Sequence, residues 1–199
     1  MHGKTHEQEV RTAMKLMDAI MERRSVRKFT DYRVTDREIE EMIDAAHWAP
    51  SWANTQVWEF LVVRDGELIE KITGTYSKGN PATKCSLTAS ALVVICAQTG
   101  VSGAKGDGDA TKHPNWFMFD TGLAVQNLCL KAHELGLGTV IVGFMDHDAC
   151  KVMLGVPDGY EVVAVVPVGK PAVEGKKGPP RRALEECAHL NTFGTPFRP

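Results

Sequence analysis

Residues 91–97 read Ala-Leu-Val-Val-Ile-Cys-Ala, seven apolar residues with no charge among them. A membrane span needs ~20 such residues, so this run is a buried strand of a water-facing domain. Upstream, Trp58-Glu59-Phe60-Leu61-Val62-Val63 reads as a second strand closed by Asp65-Gly66. Downstream, Thr139 to Val142 and Glu161 to Val168 give two more buried strands. Helical patterns separate them. Val10, Met14, Met17 and Met21 fall on one face of a first helix ending near Arg23. Thr35-Asp36-Arg37-Glu38 is a capping box that opens a second helix, which stops before Pro50. Leu68, Ile69 and Ile72 mark a short helix, and Trp116 to Leu135 a long apolar one ended by Gly136. Shorter helices are predicted over about Asp148 to Leu154 and Ala183 to His189. Long helices outnumber short strands and no repeat or linker appears. The sequence therefore predicts one α+β domain over residues 1–199, built on a mixed sheet. Residues 98–115 form an exposed loop and residues 190–199 a C-terminal tail.

Composition narrows the function. The 199 residues carry 23 Lys+Arg against 25 Asp+Glu, a net charge of −2. That balance argues against coating nucleic acid or an anionic membrane. Cys85, Cys96, Cys129, Cys150 and Cys187 are odd in number, and no two stand at C-x-x-C spacing. They predict a reducing, cytoplasmic compartment and neither a zinc ribbon nor a redox pair. The opening residues lack the apolar core of a signal peptide.

Most familiar catalytic signatures are missing. Gly136-Leu137-Gly138 opens a strand and not a helix, the wrong context for a dinucleotide fingerprint, and neither a phosphate-binding P-loop nor a nucleophile elbow occurs. Asp146-His147-Asp148 reads as a helix N-cap with an acidic first turn, so no metal site is expected.

Three polar clusters remain. Arg23-Arg24-Ser25-Val26-Arg27-Lys28 sets four cations and a hydroxyl at a helix end. Such a group suits a phosphate monoester through charge-assisted bonds, or it complements the helix dipole. Ala49-Pro50-Ser51-Trp52-Ala53-Asn54-Thr55-Gln56 offers side-chain donors and acceptors able to read the edge of a flat heterocycle, or it is an ordinary polar loop. Lys176-Lys177-Gly178-Pro179-Pro180-Arg181-Arg182 is basic again. Together they suggest a phosphorylated, planar cofactor.

The segments R-R-S-V-R with Phe29, A-P-S-W-A-N-T-Q-V-W-E-F-L-V-V, Gly122 through Gly143, and Val165 through Pro171 with Arg181-Arg182 resemble the flavin-dependent nitroreductase family in order and spacing. The resemblance covers about residues 18–194. It implies a nitroreductase-like α+β fold forming an intertwined homodimer, with FMN in a cleft shared by the subunits. By that resemblance Arg23, Arg24, Ser25 and Arg27 hold the phosphate and ribityl chain, and Arg181 or Arg182 completes the phosphate site. Asn54 and Gln56 face the ring or the ribityl hydroxyls. Val142 and Gly143 lie beside the ring, with a backbone N–H directed at flavin N5. Pro50, Ser51 and Asn54 are candidates for the partner's side. Val57 stands where many relatives have proline, and Val142 where many carry an acidic residue; a backbone donor survives that change.

The implied activity is NAD(P)H-dependent reduction of nitroaromatics, quinones or similar small oxidants by ping-pong hydride transfer through flavin N5. The flavin carries the hard chemistry, so no protein residue is assigned as catalytic. Alternatives are a specialised enzyme of the same fold, such as a reductive dehalogenase or a flavin-consuming enzyme, and a non-catalytic FMN store. Trp52 and Trp116 flank polar loops and are expected to border the cleft.

Overall fold

The computed structural model describes residues 14–106, 108–173, 175 and 177–197. In chain order the elements are α1 (Leu16–Glu22), α2 (Asp36–His47), a 3-10 turn (Trp52–Asn54), β1 (Trp58–Val63), α3 (Gly66–Gly74), α4 (Thr83–Ser86) and β2 (Ala91–Gln98). They continue as β3 (Ala104–Lys105), β4 (Gly108–Asp109), α5 (Phe117–Glu134), β5 (Gly138–Thr139), α6 (His147–Met153), β6 (Tyr160–Gly169) and a 3-10 turn (Leu184–Glu186).

Local chemistry explains the helix ends. Thr35 accepts from the Glu38 N–H at 3.2 Å while the Glu38 carboxylate accepts from the Thr35 N–H at 2.7 Å, the reciprocal box that starts α2. Asp65 and Asp146 cap α3 and α6 in the same one-sided way, accepting from Leu68 N–H and Ala149 N–H. At the end of α5, Gly136 takes a positive φ, its N–H reaches His133 O at 2.9 Å, and the Leu137 N–H reaches Ala132 O at 2.8 Å. That is the two-bond termination a left-handed glycine permits.

Strands β1, β2, β6 and β5 lie side by side in that order, every pair antiparallel. The mixed character expected from sequence reduces to a single parallel bridge between Ser25 and Thr139 among the described residues. Helices cover both faces. Ala91, Val93 and Ile95 point with Val166 and Val168 toward Met42, Ala46, Ala124 and Leu128 of α2 and α5. Leu92, Val94 and Cys96 point with Val165 toward Ile69, Ile72 and Cys150 of α3 and α6. A strand buried on both faces has no polar alternation, which is why residues 91–97 are uniformly apolar.

The expected strand over Thr139 to Val142 is interrupted after Thr139. Gly138 pairs with Gly169, Thr139 with Val168, and Val142 again with Val165 through bonds in both directions. That register makes Val140 and Pro167 the next doubly bonded pair. Pro167 has no N–H to give, so the ladder breaks there and resumes at Val142. The first helix begins at Leu16; Val10 lies outside the described residues and Met14 precedes it. Its Leu16, Met17, Ile20 and Met21 are exposed, and only Ala19 is buried. The long loop carries the small β3–β4 hairpin on a buried base at Ser102 and Gly103. The late helix shortens to the exposed 3-10 turn over Leu184–Glu186.

Gly138 and Gly169 face each other across β5 and β6, and together they leave a notch at that end of the sheet. Val26 and Phe29 fill it. A Cβ on Gly138 would stand 2.7 Å from Val26 Cβ, and one on Gly169 would stand 2.7 Å from Phe29 Cγ. Gly138→Ala is therefore expected to cost ~1–3 kcal/mol by overpacking. Gly74→Ala, with nothing within 4 Å of its Cβ, should change stability by less than ~0.5 kcal/mol. Urea unfolding of both variants checks the difference.

Candidate functional site

The basic segment is held by its apolar residues. Val26 donates its N–H to Thr139 O at 2.9 Å, and the Thr30 N–H reaches Lys170 O at 2.9 Å. With Val26 and Phe29 plugged into the glycine notch, Ser25, Arg27 and Lys28 point outward and are exposed. Arg23 is half-buried. The side chains of Arg23, Ser25 and Arg27 have no hydrogen-bond or ion-pair partner among the described residues, and their donors could serve a phosphate.

Arg24 differs. Its guanidinium turns back on α1, donating to Met21 O and, at 2.7 Å, to Arg23 O. It also packs under Gly178, where a Cβ would collide with it. Arg24 thus caps its own helix and docks the second basic segment, the dipole-complementing role. Arg181 and Arg182 follow Gly178 by three and four residues, both exposed and unpaired among the described residues. Lys176 lies outside those residues. His133, in the last turn of α5, was not visible as a neighbour in sequence. Burial lowers its pKa, opposed by Glu22 and reinforced by Arg23 and Arg24.

At the other end of the sheet lies the loop before β1. Ala53, Asn54 and Gln56 all adopt positive φ (45°, 59° and 48°), three of the four non-glycine residues that do so among the described residues. Such backbone costs ~1–3 kcal/mol per residue and persists where surroundings impose it. Here Ser51 Oγ accepts from the Gln56 N–H at 2.9 Å, and Asp120 accepts from the Trp52 N–H at 3.0 Å. Asp120 is 1% exposed and also accepts from Ser102 Oγ, joining this loop to the base of the 98–115 loop. Nothing in the sequence marked Asp120, because its partners stand 68 and 18 residues away. Trp52 and Trp116 meet edge to face at 5.5 Å between centroids. The strained loop presents Asn54 and Gln56, exposed, with no side-chain partner among the described residues; Pro50 is exposed and Ser51 half-buried.

Val142 is buried beside β6, and Gly143 follows it in the open, with nothing within 4 Å of a Cβ built on it. The Gly143 N–H has no acceptor among the described residues. Its carbonyl is held by His147 Nε2 at 2.9 Å, and His147 Nδ1 stands 2.8 Å from Val162 O.

Within one chain the polar groups do not converge. Ser25 bridges Thr139, opposite Val168, whereas the Pro50–Gln56 loop enters β1 at Trp58, whose neighbour Ala97 is opposite Glu161. Seven strand positions separate these ends, about 23 Å at ~3.3 Å per residue. The groups nonetheless match FMN: a row of unpaired cations for a phosphate, free amides for a heterocycle edge, and a free backbone N–H at Gly143. Among the described residues no group of three or more His, Cys, Asp or Glu could hold a metal ion, and no helix is long and apolar enough to cross a membrane.

The site thus combines an antiparallel sheet covered on both faces with exposed cations at one end and an amide-bearing loop at the other. The model of the nitroreductase family matches residues 20–170, and the chain belongs to that family. A protein of Archaeoglobus fulgidus bearing the name NADH dehydrogenase/NAD(P)H nitroreductase is 34% identical over 160 residues, covering 78% of this chain and 84% of its own. The FMN reductase (NADPH) of Bacillus subtilis is 28% identical over 189 residues, covering 89% and 74%. The FMN-dependent nitroreductase structure from Clostridium difficile superposes with a TM-score of 0.73 at 26% identity, covering 89% of this chain and all of that one.

The two kinds of arginine are separable. Arg24→Ala should lower the stability of the FMN-free protein by ~1 kcal/mol through the lost carbonyl bonds. Arg27→Ala, exposed and unpaired, should leave it within ~0.5 kcal/mol. Chemical denaturation of the two apo variants measures this.

Proposed function

We propose that this protein reduces small planar oxidants, nitroaromatics and quinones among them, by relaying hydride from NADH or NADPH, as a homodimer with two shared clefts. It is an FMN-dependent NAD(P)H oxidoreductase of the nitroreductase family. The observation carrying the shared cleft is the separation of the polar groups by about 23 Å along one sheet, at ~3.3 Å per strand residue. That span exceeds what one flavin bridges comfortably within a single chain, so the amide loop serves the partner's flavin. The exposed apolar face of α1 and exposed Phe193 and Phe197 in the tail support such an association.

In this reading Arg23, Arg27 and Ser25 hold the phosphate by charge-assisted bonds, and Arg181 or Arg182 closes over it. The notch-bound Val26 and Phe29 keep those cations pointing outward. Pro50, Ser51, Asn54 and Gln56 of the partner meet the ring edge and the ribityl hydroxyls. Val142 would lie beside the ring, and the Gly143 N–H would be available as a backbone donor to it. FMN, when bound, supplies two-electron hydride chemistry at N5. The protein would bind and orient that group, so the chemistry requires no acid–base pair of its own.

Arg23→Ala and Arg27→Ala should each weaken FMN binding by ~10- to 150-fold, from ~1.5–3 kcal/mol per charge-assisted bond. Riboflavin, lacking the phosphate, should bind variant and parent alike. The parent should scatter as a dimer of about 44 kDa, twice the 21.8 kDa chain, and its yellow colour should bleach within seconds of anaerobic NADH or NADPH. A monomer with FMN fully bound overturns the shared cleft; slow bleaching with both donors leaves a flavin-binding protein in place of a reductase.

A further inference from the structure

Trp52 is gripped twice. Its N–H donates to Asp120 Oδ2 at 3.0 Å, and its ring meets Trp116 edge to face at 5.5 Å between centroids. Ser102 Oγ donates to the same Asp120 oxygen at 2.5 Å. The next residue, Gly103, lies so close to Trp116 that a Cβ on it would stand 2.6 Å from the Trp116 Cβ. Trp116 O in turn accepts from the Asp120 N–H at 3.3 Å. The contacts close a circuit from Trp52 through Asp120, Ser102, Gly103 and Trp116 back to Trp52. Asp120 and Ser102 are both buried. Burying a carboxyl costs more than burying an apolar side chain, so what Asp120 contributes is direction: one oxygen fixes two segments.

The circuit carries an open aromatic surface. From Trp116 the rings continue to Phe119 at 5.4 Å and to His113 at 6.3 Å. Trp52 and Trp116 are half-buried, whereas Phe119 is 59% exposed and His113 is exposed. Trp52 precedes Asn54 by two residues and Gln56 by four, so the rings and the free amides are held as one piece. We infer that Asp120 is a positioning residue that holds Trp52 and Trp116 as an aromatic wall beside the amide loop, and that this wall stacks the flat conjugated ring of an incoming substrate. This rests on the reading that the amide loop meets the partner's flavin. A ring delivered to that flavin stands next to the loop that meets it. An aromatic face takes the ring of a nicotinamide or of an aromatic oxidant by the same offset or edge-on contact. A small inorganic oxidant has no ring and gains nothing from the wall. Because Oδ2 takes both bonds, a single amide oxygen can replace it; Asp120→Asn keeps the wall and Asp120→Ala releases it.

The test compares the parent with Asp120→Ala, Asp120→Asn and Trp116→Leu. Two indoles in edge-to-face contact produce an exciton-coupled circular-dichroism band. That band should be present in the FMN-free parent and Asp120→Asn, and missing from Asp120→Ala and Trp116→Leu. In the FMN-loaded proteins, stopped flow follows flavin reduction by NADH or NADPH and reoxidation by menadione or ferricyanide separately. Asp120→Ala and Trp116→Leu should need roughly 3- to 10-fold more of the ring-bearing reagent to reach half-maximal rate, the size of one aromatic contact, with limiting rates kept within about twofold. Asp120→Asn should match the parent, and ferricyanide should reoxidise all of them alike. A shift with menadione alone assigns the wall to the oxidant, one with the nicotinamide alone to the donor, and both together to a shared seat. Equal half-saturation throughout, or Asp120→Asn behaving as Asp120→Ala does, overturns the inference. Trp116→Leu removes the wall without unpairing the two donors, so the outcome does not depend on Asp120→Ala folding. Gln56→Ala separates the two failures. If its FMN dissociation constant is unchanged, the amide loop does not meet a flavin and the inference falls with that reading; if FMN binding weakens while the wall variants match the parent, only the inference falls.

Discussion

The site depends on two glycines having no side chains. Gly138 and Gly169 are register partners across β5 and β6, and the hollow they leave receives Val26 and Phe29. Those two apolar residues anchor the basic segment to the sheet. Arg27 and Lys28, between them, are driven outward by that anchoring and not by any attraction of their own. Filling either hollow would dislodge a packed side chain and rotate the cations with it, so close packing of the sheet end governs the electrostatics of the site.

A similar exchange of strain for position occurs at the opposite end. Three non-glycine residues in left-handed backbone would relax if released, and Ser51 and the buried Asp120 hold them. Among the described residues Asp120 meets neutral donors, Trp52 N–H and Ser102 Oγ–H, at the first turn of α5, where a negative charge is favoured. One buried carboxylate thereby fixes both the amide loop and the root of the hairpin-bearing loop. The middle of the sheet provides the third fixed point, since Pro167 frees Val140 and Ile141 from the ladder and the chain rejoins it at Val142. Exposed Ile141 and Phe144 flank the Val142–Gly143 step that this break leaves on the surface.

Much of this was legible in the chain itself. Periodicity and caps placed α2, α3, α5 and the long strands because those signals are local: a box three residues apart, a glycine after a helix, an unbroken apolar run. The order of the basic, amide-rich and glycine-bearing segments pointed to the family. Sequence did not show that Arg24 bonds Met21 O and Arg23 O, because a cation at a helix end looks the same whether it faces a ligand or its own carbonyls. It extended β5 through Val142, since the lost bond belongs to Pro167, a residue of another strand.

The sequence by itself determined the elements, the family and the residue types available to a phosphorylated heterocycle, all set by spacing within a few turns or strand residues. The tertiary structure decided which cations face outward and which one bonds its own helix, that the two polar groups lie at opposite ends of one sheet, and that Asp120 ties together two loops distant from each other in sequence. These are matters of register and packing between segments far apart along the chain. A single chain position carries no record of what the fold will set beside it.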